Sequence, residues 1–146
     1  MKSNKENSSK QTPTVNGSGQ GYYTQPTVFQ NQLVFVSEND LWQVPLEGGR
    51  AQRLTSARSE THSPAFSHDG HWIACCTMEE GEHDVYLMES RGGPLQRLTW
   101  LNSVTHIVGW SKDGQYIWFR STHQAVHSRG SDAWLYQVSL NGGPVE

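Results

Sequence analysis

The sequence of 146 residues carries 14 Asp and Glu against 11 Lys and Arg, a formal net charge of -3 that argues against a basic nucleic-acid-binding protein. No apolar run approaches the roughly 18 residues of a membrane-spanning helix, and two cysteines cannot build a disulfide framework. Leu, Ile, Val and Phe make up only 19% of the chain, a value typical of disordered proteins, yet six Trp and five Tyr are present.

The conflict resolves along the chain. Residues 1–21 hold Val15 as their only large aliphatic side chain after the initiator Met, and Lys, Asn, Ser, Gln and Gly dominate. Such a segment cannot bury enough apolar surface to offset its ordering entropy, so a disordered polar tail is expected. Lys2 and Lys5 are followed by no apolar stretch, so this is not a secretory signal, and a cytoplasmic location is expected. All 11 Trp and Tyr fall in residues 22–146, which carry a net charge of -5 and read as globular.

The globular part reads as strands and turns. A first unit, about 22–57, offers strands at 27–29, 33–37, 41–44 and 51–55. A second, about 58–101, offers 64–67, the apolar run 72–77, 85–88 and the alternating 95–99. Within it Asp69-Gly70 marks a tight hairpin and residues 79–83 a Glu/Gly-rich turn. A third, about 102–146, offers 107–110, 116–120 and 134–139, with 122–132 as an insertion. No segment has a helical period with caps.

The units repeat. Arg53-Leu54-Thr55 recurs as Arg97-Leu98-Thr99, Ser67-His68-Asp69-Gly70 as Ser111-Lys112-Asp113-Gly114, and Gly48-Gly49 as Gly92-Gly93, each at an offset of 44. A third pair, Gly142-Gly143, lies 50 residues further on, and each pair stands six residues after an aromatic: Trp42, Tyr86 or Tyr136. Four antiparallel strands per roughly 40–50 residues is the pattern of a β-propeller blade. The fold class is therefore all-β, with about two and three-quarter blades of an incomplete ring. The chain stops at Glu146, before a fourth strand of the third blade, and is read as a fragment or a truncated product.

The order Ser-x-Asp-Gly, apolar strand, aromatic strand, Gly-Gly, Arg-Leu-Thr resembles the TolB/tricorn type of propeller repeat. More specifically, the run from Asp40-Leu41-Trp42 to Gly48-Gly49, then Pro64-Ala65-Phe66-Ser67, and Val108-Gly109-Trp110-Ser111 after Arg97-Leu98-Thr99-Trp100 resemble the first three blades of tricorn-type proteases. His68 and Lys112 depart from the usual Pro in the Ser-Pro-Asp-Gly turn. The resemblance implies the N-terminal, six-bladed propeller of a large cytosolic serine peptidase that assembles as a homo-hexamer. Its propellers are thought to gate or channel peptides, and its nucleophile lies in later domains. No position here matches that machinery, so no catalytic residue, cofactor or metal is expected in this chain. The alternative is a non-enzymatic TolB-like or WD-repeat-like scaffold that binds a protein partner. A prolyl-oligopeptidase-type propeller is a third option; it normally precedes an α/β-hydrolase domain, which this chain does not contain.

Other residues invite chemistry and are weighed against plainer roles. His62, His68 and His71 gather around a hairpin, and His123 and His127 sit in a loop, but their spacing fits no zinc motif, so exposed loop histidines are expected. Cys75 and Cys76 should point to opposite faces of one strand as buried thiols. Ser67 and Ser111 lack the nucleophile-elbow context and should bond the turn backbone. Glu79, Glu80, Glu82 and Asp84 suggest a solvated acidic loop without a calcium-loop pattern. Arg53 and Arg97 should charge the blade edges against stray pairing. Trp42, Trp72, Trp110 and Trp118 are expected between blades.

Overall fold

The computed structural model describes residues 22–56, 59–78, 81–124 and 133–146. The expected tail, the boundary at 57/58, Glu79, Glu80 and most of the expected insertion, with His127, lie outside the described residues. Three antiparallel sheets follow one another along the chain. The first contains β1 (Thr24–Phe29), β2 (Gln32–Ser37), β3 (Asp40–Pro45) and β4 (Gln52–Arg53). The second contains β5 (Thr61–Phe66), β6 (Trp72–Thr77), β7 (Asp84–Glu89) and β8 (Gln96–Arg97). The third contains β9 (Thr105–Trp110), β10 (Tyr116–Ser121) and β11 (Trp134–Ser139). Each sheet is a meander in which sequence neighbours pair, as expected of propeller blades.

The second sheet is the centre of the core. Its residues alternate between two faces, as the period of two in a strand requires. Ile73, Cys75, Tyr86 and Met88 pack against Val34, Val36 and Leu41 of the first sheet. Ala74, Val85 and Leu87 pack against Trp110, Ile117, Phe119 and Val138 of the third. Both faces of β6 and β7 are covered, which explains why those strands read as nearly continuous apolar runs. The first strands of the sheets lie side by side, β1 against β5 and β5 against β9, and form one inner edge.

The strand ends depart from the sequence pattern for identifiable reasons. β5 starts three residues earlier than its apolar run suggests. Ser63 takes a left-handed conformation (φ 53°) at a bulge between His62 and Ala65, which lets Pro64 sit in the strand without donating to the ladder. β1 repeats the device, with Gln25 (φ 51°) before Pro26 and a bulge between Thr24 and Thr27. The outer strands β4 and β8 are shorter than expected, though the pairing reaches on to Leu54 and Leu98. Their amides donate to the carbonyls of Leu41 and Val85 at 2.8 Å each. In the third sheet Glu146 already occupies the fourth-strand position. It exchanges backbone hydrogen bonds of 2.9 and 3.1 Å with Gln137, matching Gln52 opposite Gln43 and Gln96 opposite Leu87.

Candidate functional site

At one end of the hairpins, the two Ser-x-Asp-Gly segments fold alike. The Ser67 hydroxyl donates to Asp69 Oδ1 (2.6 Å) and accepts from the Trp72 amide (3.0 Å); Ser111 does the same with Asp113 (2.6 Å) and Tyr116 (2.9 Å). Those serine bonds, with the amides of His71 and Gln115, hold the Asp69 and Asp113 carboxyls below the usual carboxylate range. Both serines therefore act as turn ties, with their hydroxyl hydrogens directed to a neighbouring carboxylate rather than to a histidine. His68 and His71 stay exposed in this hairpin.

The opposite end of the sheets holds features that differ from the sequence expectations. Arg53 and Arg97 are not free edge charges. Arg97 Nη2 bonds Asp84 Oδ2 at 2.7 Å, and Arg53 pairs with Asp40. Thr99 Oγ1 donates to Asp84 Oδ1 (2.6 Å) and accepts from the Val85 amide (2.9 Å); Thr55 serves Asp40 (2.7 Å) and the Leu41 amide (3.0 Å) in the same way. Asp84, expected in a solvated acidic loop, is fully buried in this clamp, while Glu82 is exposed. In the third sheet Trp134 stands at the corresponding position.

The tryptophans divide. Trp110 is buried between the second and third sheets and its indole donates to the Ala65 carbonyl (3.1 Å); Trp72 packs partly against the same cluster. Trp42 and Trp118 instead lie on the outward faces of the first and third sheets, where Trp118 is 42% exposed. Cys75 and Cys76 are fully buried on opposite faces, and burial pushes the Cys76 thiol up.

The inner edge carries a polar chain that the sequence order conceals. His62 is the second residue of β5, His83 stands just before β7 and His106 is the second residue of β9. The His62 ring is 4.5 Å from that of His83 and 4.9 Å from that of His106, centroid to centroid. His62 Nε2 shares a hydrogen bond with His83 Nδ1, and its Nδ1 shares one with Ser63 Oγ (2.9 Å). Ser63 Oγ also meets His106 Nδ1 (3.3 Å), and the Ser63 amide donates to the Gln25 side chain. Gln25, Ser63 and His106 thus link the inner strands of all three sheets. His62, expected in an exposed loop with His68 and His71, is instead buried at the far end of β5. The signal that identifies the cluster is the repeat itself: His62 and His106 are 44 residues apart. His123, expected with His127, sits elsewhere, its carbonyl accepting from the Tyr136 hydroxyl (2.7 Å).

Burial, reinforced by His83 and His106, lowers the pKa of His62 to about 4. Burial also lowers that of His106, with Arg120 and His83 adding and Glu60 opposing. His62 and His106 are therefore neutral near pH 7. A base this weak does little to activate the Ser63 hydroxyl, so the contact is a polar tie rather than a nucleophile pair. Among the described residues, no group of three or more His, Cys, Asp and Glu is placed to hold a metal ion.

The profile of the family described as the tricorn protease N-terminal beta propeller domain matches residues 20–146. A relative described as tricorn protease homolog 2 of Streptomyces coelicolor is 48% identical over 54 residues, which cover 36% of this chain and 5% of that protein. Among solved structures, the tricorn protease matches 84% of this chain and 13% of its own, with a TM-score of 0.71 and 23% identity. TolB from Acinetobacter baumannii matches 87% of this chain and 32% of its own, with a TM-score of 0.68 and 19% identity. The chain thus spans a small fraction of each of these proteins, and the two structural likenesses speak to the fold. With the repeat, the three sheets and the family profile in agreement, the chain belongs to the tricorn protease N-terminal β-propeller domain family.

Proposed function

We propose that this chain is the leading part of the propeller of a tricorn-like serine protease, and that its inner edge borders a passage that gates or channels peptides. The family match over residues 20–146 carries this reading. The inner edge supports it chemically. Gln25, Ser63 and the neutral His62 and His106 offer hydrogen bonds without fixed charge, which suits a surface that passes peptides of mixed sequence without retaining them. Peptide-bond hydrolysis is assigned to residues outside this chain, and the whole protease to a cytoplasmic homo-hexamer.

Val28 on β1 and Val108 on β9 are exposed inner-strand side chains, so each accepts a larger residue without repacking the core. In the protease that carries this chain, Val28→Trp with Val108→Trp should slow hydrolysis of long unfolded peptides several-fold. Turnover of a tripeptide substrate should stay unchanged. Equal rates on long peptides would remove the gating role. The likeness to TolB favours a second reading, a non-enzymatic scaffold for a protein partner. Labelling of the whole protein by a serine-directed probe separates the two, since a scaffold would remain unlabelled.

A further inference from the structure

We propose that His62, packed between His83 and His106 at the inner edge of the second and third sheets, is a pH-operated joint, locked while its imidazole is neutral and loosened when it takes up a proton. Its consequence for peptide passage rests on the channel reading above; its chemistry does not.

The argument starts from geometry. The His62–His83 contact works only if one ring nitrogen donates and the other accepts. A proton on His62 fixes that ring as the donor, and only an unprotonated His83 Nδ1 can then accept. Protonating His106 likewise turns its Nδ1 into a donor facing Ser63 Oγ, whose other contact is His62 Nδ1. A hydroxyl has one proton but can accept twice, so the serine tie tolerates this change better than the imidazole pair does. The pair is therefore the sensitive element.

The repeat shows that structure alone does not call for imidazole here. The first sheet places Thr24 where the second and third place His62 and His106, as the cross-strand partners Val36, Cys76 and Arg120 show. Threonine hydrogen-bonds but does not titrate near neutrality. What histidine adds at these positions is a side chain that can gain a charge as the pH falls.

The surroundings offer little relief for new charge. Arg120 lies across from His106 and opposes it, while Glu60 favours it. Asp84, next to His83, is committed to Arg97, Thr99 and the Leu101 amide. Across from His62 on β6 is the Cys76 thiol, which burial keeps protonated and neutral. Glu82, the other neighbour of His83, is exposed to water.

The sign follows from linkage. In the locked form His62 binds its proton only near pH 4, against about 6.5 for a free imidazole. The loosened form therefore binds more protons throughout that window. Locking is complete above about pH 6.5 and weakens steadily as the pH falls towards 4.

Hydrogen exchange on the full chain tests the joint. After correction for the intrinsic pH dependence, amides of residues 61–66 and 105–110 should lose protection on the order of tenfold between pH 7.5 and pH 5.0. Amides of β2 and β3 in the first sheet should not. His62→Gln should abolish most of the pH-dependent loss, and the partly exposed His83→Gln, which removes the imidazole pair but leaves His62 buried, should lessen it. Imidazole NMR should show one ring titrating well below 6.5. Unchanged protection in the wild-type chain, or the same loss in both variants, overturns the proposal. If protection falls with pH but long-peptide hydrolysis in the whole protease does not respond, the joint stands and the channel reading fails.

Discussion

A buried carboxylate is tolerated only where its charge and lone pairs are met, and Asp84 meets that condition through three separate donors. Arg97 Nη2, Thr99 Oγ1 and the Leu101 amide all lie within 2.7 Å of its oxygens. The Arg97 side chain is only 13% exposed and also lies over the Trp100 ring, so little water is available to replace it. Asp40 likewise pairs with an arginine and a threonine, but the Arg53 side chain is 49% exposed. Breaking a buried pair from one side leaves an unmatched cation, which costs about 3–5 kcal/mol, whereas a hydrated arginine leaves mainly lost hydrogen bonds, about 1–2 kcal/mol. Asp84→Ala should therefore destabilise the fold more than Asp40→Ala, as read from urea unfolding midpoints. Equal losses would mean that Arg97 is hydrated after all. The Arg-Leu-Thr half of this clamp was legible as a repeat. Its acidic half was not, although Asp40 and Asp84 share the same offset of 44, because Asp84 adjoins a glutamate-rich loop and is easily counted with it.

Among the elements, the second and third strands of each sheet were the most legible; in the second sheet they are covered on both faces and so apolar throughout. The first strands of the first two sheets were less so, because a left-handed residue before a proline carries the strand past the point where composition suggests a stop. The hairpins were legible from Asp-Gly alone, but their tolerance was not. Gly70 and Gly114 have nearly identical backbones, with φ of 72° and 70°. A Cβ at Gly114 would meet nothing within 4 Å, while one at Gly70 would run into the ring of Phe29 from the first sheet. The Gly70 hairpin is thus also a contact between sheets. Gly114→Ala should cost about 1 kcal/mol, the penalty for a side chain in the left-handed region. Gly70→Ala should cost a further ~1–3 kcal/mol for displacing a packed ring. A Gly70→Ala/Phe29→Leu double variant should recover part of the difference in melting temperature. Additive losses would show that Phe29 is not the obstacle.

At the scale of the whole molecule, three stacked sheets leave two outward faces. On the first, Leu33, Phe35, Trp42 and Val44 line a groove of about 610 Å³ with Tyr23 and Pro26. On the third, Trp118 and Leu135 stand exposed on the same side of β10 and β11. In a propeller such faces lie against neighbouring blades, which is why aromatic residues there looked like core in the sequence. Composition reports that a residue is apolar, but not which of two equivalent faces has a neighbour. Apolar patches of this kind drive association when nothing covers them. A polypeptide of residues 1–146 alone should therefore form larger species as its concentration rises, seen by light scattering after size exclusion. Trp118 and Leu135 contribute to neither core cluster, so Trp118→Lys with Leu135→Lys should reduce that association while leaving the unfolding midpoint within about 0.5 kcal/mol of the parent. If the parent is a monomer at every concentration, the exposed faces are not adhesive. If the parent associates and the lysine pair changes nothing, the first sheet's groove or the strand edges drive the contact, and Phe35→Lys should then lower the mass instead.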